Sequence, residues 1–399
     1  MKKLLKRIPL IEEVNSIIKA SLQEQKARLR SRRYYAEAAK KNIISLESDE
    51  LKQSLRRRLV TRRSGYPPKR KGHLHIFLPY CVSNWEAILP RVLEPFGKVK
   101  VFDWRTHGFD DERPDWLRRR DQMNMAMLDA YYEANSEEPI DVVVGYLSGR
   151  NTNPETLHEM ARSGSVIFNF CWDDKLHFPG KERGGRYDSP AAIAQAVDLN
   201  LTNAPDSVVK YAVHGGLAMF WPEAAHPDIH RPYDLPFEFD ISFVGACYGW
   251  RPAFIRRLNS ALGTKVECFG KGWSNGYLSG EEVVKLYSRS RINLGFAGVG
   301  HSTILMCLKG RDFEIPMSGG LYLTQDNPEL SLVYDVGEEI VTYKDLQDCV
   351  GKIKWLLENP TKAEGIRQSG RKRALQCHSW EKRFGDLFEF SGLLIAHNS

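Results

Sequence analysis

Residues 239–258 read FDISFVGACYGWRPAFIRRL. An apolar run stops at Gly245, and Arg251 falls in the first turn of the helical segment that follows. A short strand that ends on a glycine and feeds a helix is one β–α step of a wound α/β sheet. The same alternation continues to the end of the chain. Strands are expected at 239–245, 265–270, 291–296, 320–324 and 339–343, and helices at 250–261, 280–289, 311–317, 343–358, 361–376 and 379–394.

Upstream the pattern repeats. Apolar runs at 73–79, 98–104, 140–147, 165–172, 198–203 and 217–221 alternate with helical stretches at 83–94, 114–134, 154–163, 189–196 and 205–214. Val142-Val143-Val144 and Val166-Ile167-Phe168 show no polar alternation, which marks strands buried on both faces of a parallel sheet. Between the two series, WPEAAHPDIHRPYDLPFEF (221–239) holds four prolines and little periodicity, as a linker does. The expected fold is α/β, with two Rossmann-type doubly wound parallel-sheet domains facing a cleft. The expected divisions are 1–72, 73–220, 221–238, 239–377 and 378–399.

Length and composition agree. A chain of 399 residues with 42% hydrophobic and 27% charged residues is globular and long enough for two cores. Apolar runs fall short of a membrane span, and MKKLLKRIPLIEEVNS lacks the apolar core and cleavage site of a signal peptide. Seven cysteines with no CxxC pair fit reduced thiols, so a cytoplasmic location is expected.

Charge is unevenly spread. Residues 1–72 hold 21 Lys and Arg against 7 Asp and Glu, a net +14, and the remainder carries −7. Leu4, Ile8, Ile11, Ile18 and Leu22 fall at helical spacings, so a basic amphipathic helical arm is expected. Its partner would be an anionic membrane surface touched by residues 1–63. A solvated arm packed on its own globule is the competing reading. Nucleic acid is not expected, because no aromatic residues interleave the basic runs.

Several residues carry candidate chemistry. Gly245 and Arg251 sit where backbone N–H groups and a guanidinium grip phosphate at a helix start. In CFGKGW, Gly270 permits close backbone approach and Lys271 adds a point charge. In GFAGVGHST, glycines and His301 could touch a sugar or phosphate. In RDFEIPMSGG, Glu314 leads into Ser318-Gly319-Gly320, a carboxylate suited to the two hydroxyls of a ribose. Arg311 either pairs with Glu314 or joins the ligand site. A helix start after Gly319-Gly320 would add a further anion-binding terminus. FNFCWDDKLHF places Asp173, Asp174 and His177 just past a buried strand, where a catalytic base belongs if the reaction needs one. An ion-paired helix start explains those three residues equally well.

SFVG…R, FGKGW, RIN, RDFEIPMSGG and GEEIVTYKDLQDCV…LLENP resemble the carboxyl-terminal domain of GT-B fold glycosyltransferases. The closest likeness is to the group 1, spore maturation (CgeB-like) family. APDSVVKYAVHGG…WPEAAHPDIHRPYD and GRKRALQCHSWEKRFGDLF are similar to its approach to the linker and its closing helices. The resemblance covers about residues 200–390, the first domain in outline and the arm not at all. It implies a nucleotide-sugar donor in the second domain, a glycan, glycolipid or protein hydroxyl acceptor against the first, and Glu314 on the ribose. No cofactor and no metal are expected. The family's retaining members carry another glutamate eight positions earlier, and here that residue is Met306. A nucleotide-sugar epimerase or hydrolase of the same layout, and a non-catalytic glycan-binding protein, are the alternatives.

Overall fold

A computed structural model describes residues 9–43, 46–63, 65, 67–80, 88–183 and 185–396. The chain forms two compact units. One comprises the chain up to Arg30 together with Glu223–Trp380, and the other comprises Ser31–Pro222 with the residues from Glu381 onward.

The unit begun by Ser31 is built on a six-stranded sheet of β1 (Leu74–Pro79), β2 (Gly97–Phe102), β3 (Val142–Gly145), β4 (Val166–Cys171), β7 (Leu199–Thr202) and β8 (Ala218–Phe220). Its order is β2-β1-β3-β4-β7-β8, and every pairing is parallel. A small antiparallel hairpin, β5 (Glu182–Arg183) with β6 (Arg186–Tyr187), interrupts the series. β1, β3, β4 and β7 are buried at every position, which accounts for their largely apolar character, with His75, Asn169, Asn200 and Thr202 as buried polar exceptions. Helices 116–137 and 154–162 cover one face, packing Met123, Met127, Tyr131, Leu157 and Met160 onto Phe77, Val143 and Ile167.

The unit holding Glu223–Trp380 carries a five-stranded sheet of β9 (Phe239–Val244), β10 (Glu267–Phe269), β11 (Ser290–Leu294), β12 (Tyr322–Gln325) and β13 (Val341–Tyr343). The order is β10-β9-β11-β12-β13, again all parallel. Helices 251–262, 280–289, 311–317, 346–358 and 360–377 connect and cover it. Ile241, Phe243, Leu258, Ile292, Leu323 and Ile353 form its core.

The expected helix at 189–196 is only a 3-10 turn, Pro190–Ala192. Ala191, Ile193, Ala194, Ala196 and Val197 are all buried, so the apolar spacing there reflects burial on nearly every side rather than one helical face. Of the expected helix 83–94, residues 89–93 are helical and 83–87 lie outside the described residues. Leu4 and Ile8 of the arm lie outside them too.

The expected arm divides between the two units after Arg30. Helix 9–40 is followed by helix 48–59, which buries Leu51, Leu55 and Leu59. The second basic run then serves the first sheet. Arg58 donates to the carbonyls of Val197 and Gly215, and Arg62 Nη2 is 2.5 Å from Asp198 Oδ1. Arg63 and Lys69 both pair with the buried Asp141. Buried carboxylates need such partners, so much of the charge excess at 58–69 is structural.

Candidate functional site

In the second sheet the chain runs from β9 to β10 on one side and then returns past β9 to β11 on the other. The carboxyl ends of β9 and β11 are therefore the topological switch point, where wound α/β sheets bind ligands. The loop 245–250 leaves β9 there, and the loop 295–310 leaves β11.

Close backbone approach opens the site. A Cβ on Gly270 would lie 2.6 Å from the Gly245 carbonyl oxygen, and Gly270 has a φ of +119°. Only glycine meets both demands. Trp273 Nε1 donates to that same carbonyl at 2.8 Å, and Cys247 N donates to Lys271 O at 2.8 Å. The turn of Lys271 thus adjoins the loop of Arg251. The Lys271 side chain is exposed and makes no hydrogen bond or ion pair among the described residues.

Arg251 opens helix 251–262 yet is only 5% exposed. Its Nη1 donates to Ala246 O at 3.2 Å, and its guanidinium lies 4.4 Å from the Tyr248 ring centroid. Arg311 opens helix 311–317, and its Nε is buried with no hydrogen-bond partner. Both guanidiniums lie over one ring, Phe243, at 5.8 Å and 5.6 Å. Arg311 Nη1 would be 3.3 Å from a Cβ on Gly245, so it overlooks the strand end. Neither arginine has an ion pair among the described residues. Burial, and next the like charge of Arg311, pulls the Arg251 pKa down from 12.5 to about 10. Arg251 has no carboxylate against it, whereas the nearby Asp312 and Glu314 favour the charge of the half-buried Arg311, and together the two guanidiniums can receive an anion at the strand end.

Glu314 sits one turn into the same short helix. It does not pair with Arg311. His230 lies beside it, its Nε2 3.9 Å from Glu314 Oε1. His230 Nδ1 accepts from His226 N at 3.0 Å, so in a neutral ring the proton sits on Nε2, the nitrogen that faces Glu314. A Cβ on Gly310 would lie 2.9 Å from Glu223 Oε2 and 3.0 Å from Glu314 Oε1. Lys309, on the other side of that glycine, donates to Cys307 Sγ at 3.0 Å. The sequence reading missed Lys309, Glu223 and His230. The run KGR at 309–311 was the available signal for the first, whereas the other two enter from a stretch read as linker.

His301 belongs to the loop after β11. Its ring Nδ1 is buried without a hydrogen-bond partner, and burial followed by nearby Lys19 lowers its pKa. Its backbone N donates to Gln23 Oε1, and Gln23 Nε2 donates to Val299 O, both at 3.0 Å. Helix 9–40 thereby holds this glycine-rich loop. A cavity of about 370 Å³ lies beside it, lined by Ile17, Ala20, Trp250, Phe254 and His301 among others. Met306 forms an isolated antiparallel bridge with Gly298.

Three expected ligands lie elsewhere. Ser318, Gly319 and Gly320 end helix 311–317 and precede β12, at the amino edge of the sheet. Ser318 Oγ donates to Glu314 O at 2.7 Å, Gly319 adopts φ +72°, and Gly320 N donates to Ile315 O at 2.9 Å. This is a helix C-cap. A strand and not a helix follows it, so the anion-binding terminus expected after Gly319-Gly320 does not exist.

On the other unit, Asp173 is exposed and accepts from Tyr146 Oη at 3.0 Å, and His177 is exposed at the end of helix 174–177. Asp174 differs from both. It is fully buried and accepts from Tyr211 Oη at 2.9 Å, and Lys210 Nζ donates to its carbonyl. Burial raises its carboxyl to about 6. Asp174 is thus enclosed by protein, whereas Asp173 and His177 stand at the surface.

Residues 251–389 match the family described as "Glycosyl transferase-like". Two solved structures share the fold. Sucrose-phosphate synthase from Thermosynechococcus elongatus superposes with a TM-score of 0.56 at 11% identity, covering 79% of this chain and 98% of its own. HepE from Anabaena, in complex with UDP, gives 0.54 at 11% identity, with 79% and 99% covered. The shared fold is GT-B-like, with two parallel-sheet domains. No curated protein matches the sequence.

Proposed function

We propose that the chain is a glycosyltransferase that moves a sugar from a nucleotide diphosphate to a hydroxyl acceptor, allied most closely to the spore maturation glycosyltransferases. The observation that carries this reading is the pair of guanidiniums of Arg251 and Arg311, both over Phe243 and neither in an ion pair among the described residues, at the strand ends of the second sheet. The match at 251–389 and the likeness to structures titled as UDP and UDP-glucose complexes support it.

Breaking the bond between the anomeric carbon and the diphosphate oxygen leaves negative charge on the departing phosphate. Preoriented donors on Arg251 and Arg311, with Lys271 at the rim, meet that charge as it develops. In this proposal these cations supply the charge stabilisation without a metal. Glu314 accepts from the ribose hydroxyls, and His230 orients it. If the reaction inverts the anomeric centre, Asp173 or His177 takes the acceptor proton. Met306 bears no carboxylate, so any retaining course must draw its charge stabilisation from elsewhere.

Thermal denaturation against UDP, GDP, ADP and their sugar conjugates tests the donor site. A nucleotide at a hundredfold excess over its dissociation constant stabilises the protein by about 2.7 kcal/mol. The expected result is a rise with one nucleotide that vanishes in Arg311→Met. The proposal fails if no nucleotide shifts the melt, or if the shift survives that substitution. Transfer of radiolabelled sugar to an acceptor separates an enzyme from a glycan-binding protein, and free or epimerised sugar without transfer would favour the hydrolase or epimerase reading.

A further inference from the structure

The amino-terminal half of helix 9–40 turns apolar residues outward. At 100° per residue, Ser16, Ala20, Gln23 and Ala27 share one face with Tyr34 and Ala38, which are buried in an apolar cluster with Phe178 and Tyr211. Gln23 and Glu24 bond the loop 299–302 from that side, Glu24 accepting from Ser302 Oγ. Glu13 pairs with Arg257 from the same side. Diametrically opposite stand Val14, Ile18, Leu22 and Leu29, within about 80° of arc. They are 48%, 52%, 51% and 49% exposed. Over residues 13–29 the helix thus attaches through small and polar residues and leaves an apolar stripe outside, while further on Tyr34 and Ala38 pack into an apolar cluster.

Cations flank the stripe. Lys19 and Lys26 line one side, Arg28 the other, and Arg32 and Arg33 continue it, all exposed. A second copy of the chain is a poor occupant. As a coiled-coil seam the stripe is broken at Gln25 and Arg32, and the like charges beside it would repel across a symmetric pair. An anionic surface complements it. No described helix is long and apolar enough to cross a membrane, so the fitting mode is one that lies in the interface. We infer that the outward face of helix 9–40 docks on an anionic lipid bilayer, with Val14, Ile18, Leu22 and Leu29 entering the acyl boundary and Lys19, Lys26, Arg28 and Arg32 meeting the headgroups. This narrows the basic segment to one face of one helix, since Arg58, Arg62 and Arg63 are already engaged with the first sheet. It stands apart from the proposed chemistry.

The test is flotation of the full chain with vesicles of phosphatidylcholine, with and without phosphatidylglycerol. The chain is expected to float with the anionic vesicles at low salt, to stay down with phosphatidylcholine alone, and to be released by added salt. Ile18→Glu with Leu22→Glu should lower the partition at least roughly tenfold, because two half-exposed side chains lose their insertion. Lys19→Glu with Lys26→Glu should lower it similarly. These side chains stand outside the packed face, so an unchanged melting temperature shows that the variants fold. Absence of flotation with anionic vesicles, or flotation unaltered in the apolar double variant, overturns the inference. So does a dimer in sedimentation equilibrium that the apolar double variant dissociates.

Discussion

Arg251 and Arg311 come from the starts of two different helices and place their guanidiniums over the same ring, Phe243, at 5.8 Å and 5.6 Å from its centroid. Two like charges desolvated side by side cost stability unless an anion joins them. At Arg251 the arrangement therefore trades stability of the empty protein for affinity, whereas Asp312 and Glu314 favour the charge of Arg311.

Arg311→Met keeps the bulk over Phe243 and removes one charge. The empty variant should melt somewhat lower, because the buried Asp312 loses a nearby counter-charge, while its affinity for the stabilising nucleotide falls about a hundredfold or more. Isothermal titration and a melt on the same sample check both halves. A lower melting temperature with affinity intact would show that Arg311 is structural.

Glu314→Gln should weaken binding of the ribonucleotide by about tenfold to a hundredfold and bind the 2′,3′-dideoxy analogue almost as the wild type does. The difference between the two ligands reports the ribose contact alone. His230→Ala should narrow that difference partially, since His230 acts only through Glu314.

Asp174 predicts a pH dependence of stability. Its folded pKa of about 6 stands above its ordinary value of 3.8. Between those values the folded state holds more protons than the unfolded one, so this group's contribution falls as pH rises through about 4 to 6. The full effect is about 3 kcal/mol at neutral pH. Asp174→Asn can still accept from Tyr211 Oη. Denaturant unfolding at pH 4.5 and 7 should therefore show the variant gaining on the wild type as pH rises, and a constant difference would contradict the burial argument.

Gln23→Ala removes both hydrogen bonds that hold Val299 and His301. Stability should fall by about 1–3 kcal/mol. Amide exchange should quicken at residues 298–303, with the β9 and β11 amides unchanged. Equal acceleration throughout the sheet would mean that helix 9–40 supports the whole unit rather than the loop.

Gly270→Ala places a methyl 2.6 Å from the Gly245 carbonyl at a φ of +119°. A loss of about 2 kcal/mol or more is expected. Because the displaced backbone is the floor beneath Arg311, nucleotide binding should be lost even at temperatures where the variant remains folded.

Much was legible in the chain itself, and for a local reason. Strand and helix periodicity, glycine stops and proline starts act over a few residues, so helices 280–289 and 311–317 and both parallel sheets follow from neighbouring side chains alone. So does the choice of Arg251, Arg311 and Glu314, each near the start of a helix that follows a carboxyl strand end. What folding decided was which of these groups share a neighbourhood. Ser318-Gly319-Gly320, four to six residues beyond Glu314, closes a helix at the opposite edge of the sheet, because a helix of seven residues spans about 10 Å. Asp174 lies inside and Asp173 outside, although they are adjacent, because Tyr211 and Lys210 reach only one of them. The apolar stripe of helix 9–40 faces outward because polar contacts to loop 299–302 hold its other side. Periodicity announces that a helix has two faces, and only long-range contacts choose which one is buried.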